Sequence, residues 1–600
     1  MEAAPHRMHR RRISPHVPTR YPGSSYTSLL VYSLALLTIL VFVLTRSLRV
    51  GAASAALARR PSTLTLRPLG LPPTMDALRA EIERAALAGT VELDWSSRGL
   101  TELPPEIGRL TRLEKLNLAG NELSSLPAEL AACTALRTLF FLNNRFTAIP
   151  SVVGRLPSLA MLSFKSNRVE RIPEDALPPS LVWLILTDNA LAALPAALGR
   201  LPLLRKLMLA SNQLRALPDL SGLASLELVR LSDNHLTAFP EALLALPRLA
   251  WVAVAGNEFA PVPRSAVDAR LSAASSALTL ADVELGDVLG EGTSGIVHAA
   301  TRRGAGGGSS GGADRIAVKI FKAASSDGRP VDEVRAGSPA RPSPSPPRAA
   351  AFHSFSLSLS LSPLSLSTHT PRAHAQVAAS LAITAPHENL INLLGFVAER
   401  DAGSGAGGAG HYSKLASFLE FVSGMKVLAK PPSFSSVTRD VYPQTPGSIQ
   451  ALSLAQAGVI SLAVASAAAH LHASGIAHGD LYAHNILVDP AYAGAEAPHA
   501  QDLRGLAARV KLGDLGAAFF YDRASATGAL VERVEVRAWA CLAEELLALV
   551  PQGAQASDST GLGAALLDLS RACGAQGGAV AARPSFADIV SRLSAATAGL

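Results

Sequence analysis

The chain has 600 residues, 48% of them apolar and 17% charged, enough for several packed domains. Its net charge of +7 is local: residues 1–74 hold ten Arg and no Lys against the single acid Glu2, so +9 sits there and residues 75–600 carry −2. A near-neutral body excludes nucleic acid as the expected partner. Three scattered cysteines (Cys133, Cys541, Cys573) fit neither a disulfide framework nor a zinc site and point to a reducing, intracellular compartment.

Residues 1–74 form a basic extension with an apolar segment at 26–44, LLVYSLALLTILVFVL being its centre. Sixteen such residues fall short of the roughly 20 that span a bilayer, and the longer stretch nearly suffices. Three readings fit: a membrane anchor, a cleaved targeting peptide (Arg-rich and acid-poor), or a start extended upstream of a true Met75. Met75 opens MDALRAEIERAALAG, which reads as a short helix.

From Val91 to about Pro263 a unit LxxLxLxxNxLxxLPxxLxxL recurs. Its Asn falls at 121, 144, 167, 189, 212, 234 and 257, with Arg98 in that place in the first copy, at spacings of 22 or 23. A fixed period of this kind marks a solenoid of leucine-rich repeats, here eight over residues 75–263. Each copy supplies one short strand with Leu pointing inward, and its Asn bonds backbone of neighbouring turns. Between the inward positions stand Phe140, Leu142, Met161, Trp183, Ile185, Met208, Leu228 and Trp251, an apolar ridge on the concave face expected to bind a protein ligand. A linker, 264–281, follows. No apolar span separates the repeats from what comes next, so both belong on the same side of any membrane.

Leu289-Gly-Glu-Gly-Thr-Ser-Gly-Ile-Val297 follows a strand-like ELGDVL. Gly290, Gly292 and Gly295 let backbone lie close over phosphates, and Leu289 and Val297 would flank an adenine. Lys319 lies in the apolar strand IAVKIF, where a buried ammonium needs a carboxylate. Glu333, in RPVDEVRA, is the candidate. Further on, Asp480 and Asn485 sit five apart in IAHGDLYAHNIL, and Asp514 stands between two Gly in KLGDLGAA. Together they offer what ATP phosphoryl transfer needs: a phosphate clamp (Lys319), a carboxylate for the acceptor hydroxyl (Asp480) and two oxygen ligands for Mg²⁺ (Asn485 and Asp514).

In order and spacing these segments resemble the protein kinase signature set. SFLEFV (417–422) resembles the hinge, which implies adenine contacts from the backbone of Glu420 and Val422. EVRAWACLAEELL resembles the helix that braces the catalytic loop, and ARPSFADIVSRL the closing helix. The whole resembles leucine-rich-repeat kinases of the tyrosine-kinase-like group, of bacterial and algal type. The resemblance implies a two-lobed α+β kinase domain at 282–600 using ATP and Mg²⁺, of serine/threonine type, with a protein substrate. A kinase-fold scaffold that has lost transfer is the alternative.

Three departures stand out. The catalytic loop reads HGD where kinases carry HRD, Tyr482 replaces the Lys usual in serine/threonine kinases, and only 21 residues separate Asp514 from Glu535, with no APE. A loop so short, with Gly479 unable to pair a phosphate, predicts activity without loop phosphorylation. Residues 337–376 break the pattern with a Ser-Leu alternation, as a CT dinucleotide repeat would encode. They read as a disordered insert or a retained intron.

Overall fold

The structure, a computed structural model, describes residues 72–259, 279–291, 295–303, 315–321, Ile383, 386–400, 412–445, 448–494, 496–553, 561–574 and 579–598. The apolar segment 26–44, the linker 264–278, Gly292, Glu333 and the insert 337–376 lie outside the described residues.

The repeats begin with α1 (Met75–Ala88). Thr74 caps it by accepting from the Ala77 amide, and Gly89 ends it with φ +61°. Leu78 and Ile82 on α1 close the open end of the solenoid core. Eight three-residue strands then pair in parallel and in chain order: β1 (Glu92–Asp94), β2 (Lys115–Asn117), β3 (Thr138–Phe140), β4 (Met161–Ser163), β5 (Trp183–Ile185), β6 (Lys206–Met208), β7 (Leu228–Arg230) and β8 (Trp251–Ala253). Their central residues, from Leu93 to Val252, are buried. The expected Asn ladder is present. Asn144 Oδ1 accepts from the Leu123 amide at 3.0 Å, and its Nδ2 donates to the carbonyls of Leu118 and Phe141 at 2.9 and 3.1 Å. Arg98 has no such amide, and its side chain turns to Glu81 of α1 at 2.8 Å. The residue before each ladder position has positive φ, six times in a non-Gly residue (Ser97, Asn143, Ser166, Asp188, Ser211, Asp233) and twice in Gly. The chain bends there to leave the sheet, which is why small polar residues recur at that place.

The second region has two parts. Five antiparallel strands, β9 (Val283–Glu291), β10 (Gly295–Arg302), β11 (Arg315–Phe321), β12 (Leu393–Arg400) and β13 (Tyr412–Glu420), form a sheet in the order β12-β13-β11-β10-β9. A helical part follows, built on α2 (Leu454–Ala473), α3 (Ala526–Ala548), α4 (Leu562–Cys573) and α5 (Phe586–Thr597). Capping boxes start α2 (Ser453, Gln456) and α5 (Ser585, Asp588). Among the described residues α2 is the one helix long and apolar enough to cross a membrane, yet it packs inside this core, where Trp539 of α3 donates to the Ser461 carbonyl.

The ridge expected to stand open to a ligand is covered. Phe140, Leu142, Met161, Trp183, Ile185, Met208, Leu228 and Trp251 are each no more than 6% exposed. They share one apolar cluster with Leu471, Trp539 and Phe586 of the helical part. Phe434 inserts between Phe140 and Trp183, with ring centroids at 5.5 and 5.8 Å. Polar ties frame this contact: Arg205 donates to Glu227 and to Thr438, and Thr438 also bonds Glu227. A ridge too apolar for water has its cover in the same chain.

Candidate active site

Three short segments hold the site together. β14 (Ile476–Ala477) leads into the loop, β15 (Ile486–Val488) leaves it, and β16 (Val510–Leu512) pairs with β15. The Gly513 amide donates to the Asn485 carbonyl at 2.9 Å, which sets the Asp514 turn beside the loop.

Lys319 lies in β11 opposite Val297 of β10 and Ser417 of β13, and is 4% exposed. Its Nζ meets Asp514 Oδ1 at 2.8 Å. Among the described residues, Asp514 thus supplies a carboxylate partner to Lys319. Asp514 takes φ +48°, a left-handed turn that an Asx side chain tolerates, and Oδ1 also accepts from the Gly516 amide at 3.2 Å. Burial works against ionising this carboxyl, but the Lys319 ammonium outweighs it and holds Asp514 below the usual carboxylate range.

His478 fixes the loop. The Asp480 amide donates to its Nδ1 at 3.2 Å, so Nε2 carries the proton and donates to the Gly513 carbonyl at 2.9 Å. Beneath it Glu535 of α3 accepts from the amides of His478 (3.0 Å) and Gly479 (2.6 Å) and from His472 Nε2 (2.7 Å). Burial opposes its charge, yet the His472 hydrogen bond and nearby imidazoles hold it below its ordinary value. Helix α3 braces the loop, as its motif suggested. Beyond Asp480, the His484 amide and ring bond Asp440 at 2.9 and 2.8 Å.

Asn485 Nδ2 donates to the Asp480 carbonyl at 2.8 Å and to its Oδ2 at 3.3 Å. That orientation makes Oδ1 the atom Asn485 offers a cation. That amide oxygen and the Asp514 carboxylate are hard oxygen donors of the kind that suits Mg²⁺. Among the described glycines of the phosphate loop, Gly295 is forced, since a Cβ there would lie 2.5 Å from the Ile320 carbonyl. Gly290 has open space around it and pairs with Val297. Leu289 is half-exposed and Val297 half-buried. The Glu420 carboxylate is held by Lys511 and Asn392 at 2.7 and 2.8 Å, and Val422 follows the end of β13.

One partner was not anticipated. Arg230, the last residue of β7 in the repeats, reaches Asp480 Oδ1 with Nη2 at 2.5 Å. Next to it Trp251 Nε1 donates to the Leu481 carbonyl at 2.9 Å, and its ring stacks on Tyr482 at 4.3 Å. The signal was there: an Arg in a row of apolar ridge residues calls for a carboxylate. The structure also accounts for HGD. Gly479 has φ +73°, and a Cβ would lie 2.6 Å from the Ala517 carbonyl and 2.8 Å from that of Val252 in β8. No side chain fits between loop and repeats there.

Residues 179–236 match the leucine-rich-repeat family profile, and residues 450–501, which carry α2, Asp480 and Asn485, match that of the lipopolysaccharide kinase (Kdo/WaaP) family. The chain joins a leucine-rich-repeat solenoid to a kinase-like domain. Neither match spans half of it. Among solved structures it is similar to a leucine-rich-repeat protein of Leptospira interrogans (28% identity, 31% of this chain, 54% of that one, TM-score 0.26). An internalin of Listeria monocytogenes (21%, 32% and 58%, 0.28) and YopM of Yersinia enterocolitica (27%, 32% and 39%, 0.25) are also similar. These likenesses span between about two-fifths and three-fifths of those proteins. No curated protein matches.

Proposed function

We propose that the chain is an ATP-dependent phosphotransferase acting on a protein serine or threonine hydroxyl. The observation that carries this reading is the Lys319–Asp514 ion pair set beside an Asp480–Asn485 pair that Glu535 braces from below. In it Lys319 holds the ATP phosphates, Asn485 and Asp514 hold Mg²⁺, and Asp480 faces the acceptor hydroxyl. Leu289, Gly290, Gly292, Gly295 and Val297 cover the nucleotide, and the backbone of Glu420 and Val422 meets adenine. Mg²⁺, when bound, neutralises charge developing on the transferred phosphoryl group, while the chain's own residues position and orient. Repeats and catalytic domain share one compartment, a reading their common apolar cluster supports.

The match over residues 450–501 favours a second reading, transfer to a sugar hydroxyl of a glycolipid. Asp514 lies only twelve residues before the start of α3, which leaves little chain for a peptide platform. Labelled-phosphate transfer from ATP to a protein mixture and to purified lipopolysaccharide, with wild type and Asp480→Ala, decides between them. Asp480→Ala and Lys319→Met should each lower the rate by orders of magnitude, since positioning and electrostatics supply most of the acceleration. Equal, background-level transfer by all three proteins, with ATP still bound, would leave a nucleotide-binding scaffold.

A further inference from the structure

The concave ridge and the catalytic loop occupy each other. Asp480 can orient an acceptor only with a carboxylate oxygen open to it. Oδ1 faces the Arg230 guanidinium at 2.5 Å, and Oδ2 faces the Asn485 amide at 3.3 Å. The side chains of Arg230 and Asp480 are 12% and 21% exposed, which leaves no width for a hydroxyl-bearing residue between them. Trp251 covers the next two residues, by its bond to the Leu481 carbonyl and its stack on Tyr482. The backbone makes the same contact at Gly479, where the Val252 carbonyl sits at the distance only a glycine permits.

We propose that the repeat ridge is an intramolecular docking surface for the catalytic loop, so that the repeats hold the enzyme closed and the acceptor must displace Arg230 from Asp480. The proposal rests on the phosphotransferase reading. It replaces the expectation of an enzyme active without control: the short loop that has no phosphate switch is governed from the solenoid. Arg230 acts against transfer by bulk as well as charge, because its charge-assisted bond leaves Asp480 little open surface for an acceptor hydroxyl.

Two ridge arginines make the test. Arg205 donates to Thr438 and Arg230 to Asp480, so the double change Arg205→Glu/Arg230→Glu removes these two bonds between the repeats and the rest of the chain. It sets a like charge against Asp480 across the contact and another against Glu227, the neighbour of Arg205 within the repeats. Transfer to whichever acceptor wild type uses is measured beside the radius of gyration in small-angle scattering. Arg230→Lys, which keeps the charge, serves as the conservative control, and Asp480→Ala in the doubly changed chain as the blank. The expected result is a larger radius and at least a tenfold higher rate for the double variant, a rate near wild type for Arg230→Lys, and none for the blank. An opened chain that transfers no faster than wild type overturns the inhibition alone. A radius and a rate both unchanged overturn the docking as well. An opened chain that binds a fluorescent ATP analogue yet matches the blank overturns the phosphotransferase reading itself. A rate that rises while the chain loses its cooperative thermal transition counts against the proposal, since release must come from a folded protein.

Discussion

Glu545 shows how one side chain ties this protein to pH. Its side chain on α3 is 15% exposed, with Tyr442 donating to it and Arg439 at 3.9 Å. Burial, and then the Asp440 carboxylate, push it up to about 8 from an ordinary 4.5, against the pull of Arg439. A carboxyl whose folded value is raised stabilises the fold fully below its unfolded value. That contribution is lost as pH climbs through the folded one. Melting temperature should therefore fall between about pH 4.5 and pH 8, and Glu545→Gln should flatten the slope. Calorimetry should find the variant equal to wild type at pH 4.5 and more stable at pH 8, by a few kcal/mol at most at about 1.4 kcal/mol per pKa unit. A constant offset across the range would rule this account out. At the same scale, of the four groups singled out by the motifs, Lys319 meets Asp514 and Asn485 meets Asp480 in the structure. Glu333 lies outside the described residues, and among the described ones Asp514 pairs with Lys319. An Arg among apolar ridge residues signalled that Arg230 needs a carboxylate, but which one was not legible, since its partner lies 250 residues away.

At the scale of elements, the 22- and 23-residue period fixed the eight strands, their parallel order and the ladder, because each copy repeats the same local bonds. That redundancy predicts a graded response to damage. Asn212 accepts from the Leu191 amide and donates to the carbonyls of Leu186 and Leu209, all within 3.1 Å. Asn212→Ala leaves these buried groups without their partner, at about 1–3 kcal/mol each for those that water does not reach. Chemical denaturation should register a loss of that order, whereas Asn167→Ala, in a partly buried ladder position, should lose less. Equal losses would mean that burial does not set the cost. The sheet strands β10 and β11 were also readable, from glycine spacing and an apolar run around one lysine. The bracing role of α3 was readable from its motif, but the atoms it uses emerge only where His472, His478 and Gly479 converge on Glu535.

At the scale of the molecule, the apolar ridge was read as a surface for a protein partner, and in this structure the helical part of the same chain covers it. Periodicity reports which residues leave the solenoid core and carries no information on what meets them. Because Trp251 belongs to the same cluster as Leu471 and Trp539, repeats and helical part should unfold together. Trp251→Ser removes the stack on Tyr482 and the bond to Leu481, a loss of about 3–5 kcal/mol by comparison with other buried aromatic truncations. Denaturant unfolding of the full chain should then split into two steps, the solenoid melting apart from the rest. A single transition with an unmoved midpoint would show that the two parts were never coupled through this residue. Arg583 adds to the coupling. It is buried, donates to the Pro247 carbonyl of the repeats at 2.6 Å and to that of Arg533, and burial with the nearby Arg537 pulls it down to about 10.

The distance along the chain between Arg230 and Asp480 also sets a clock for synthesis. A ribosome adding about 5–20 residues per second needs roughly 10–50 s to make the 250 residues between them. Through that interval a finished solenoid emerges with Phe140, Trp183 and Trp251 bare, and nothing of its own to lay over them. The newborn protein is at its most adhesive when its first half is complete. Its yield in a cell depends on how well that half is shielded until the catalytic loop arrives.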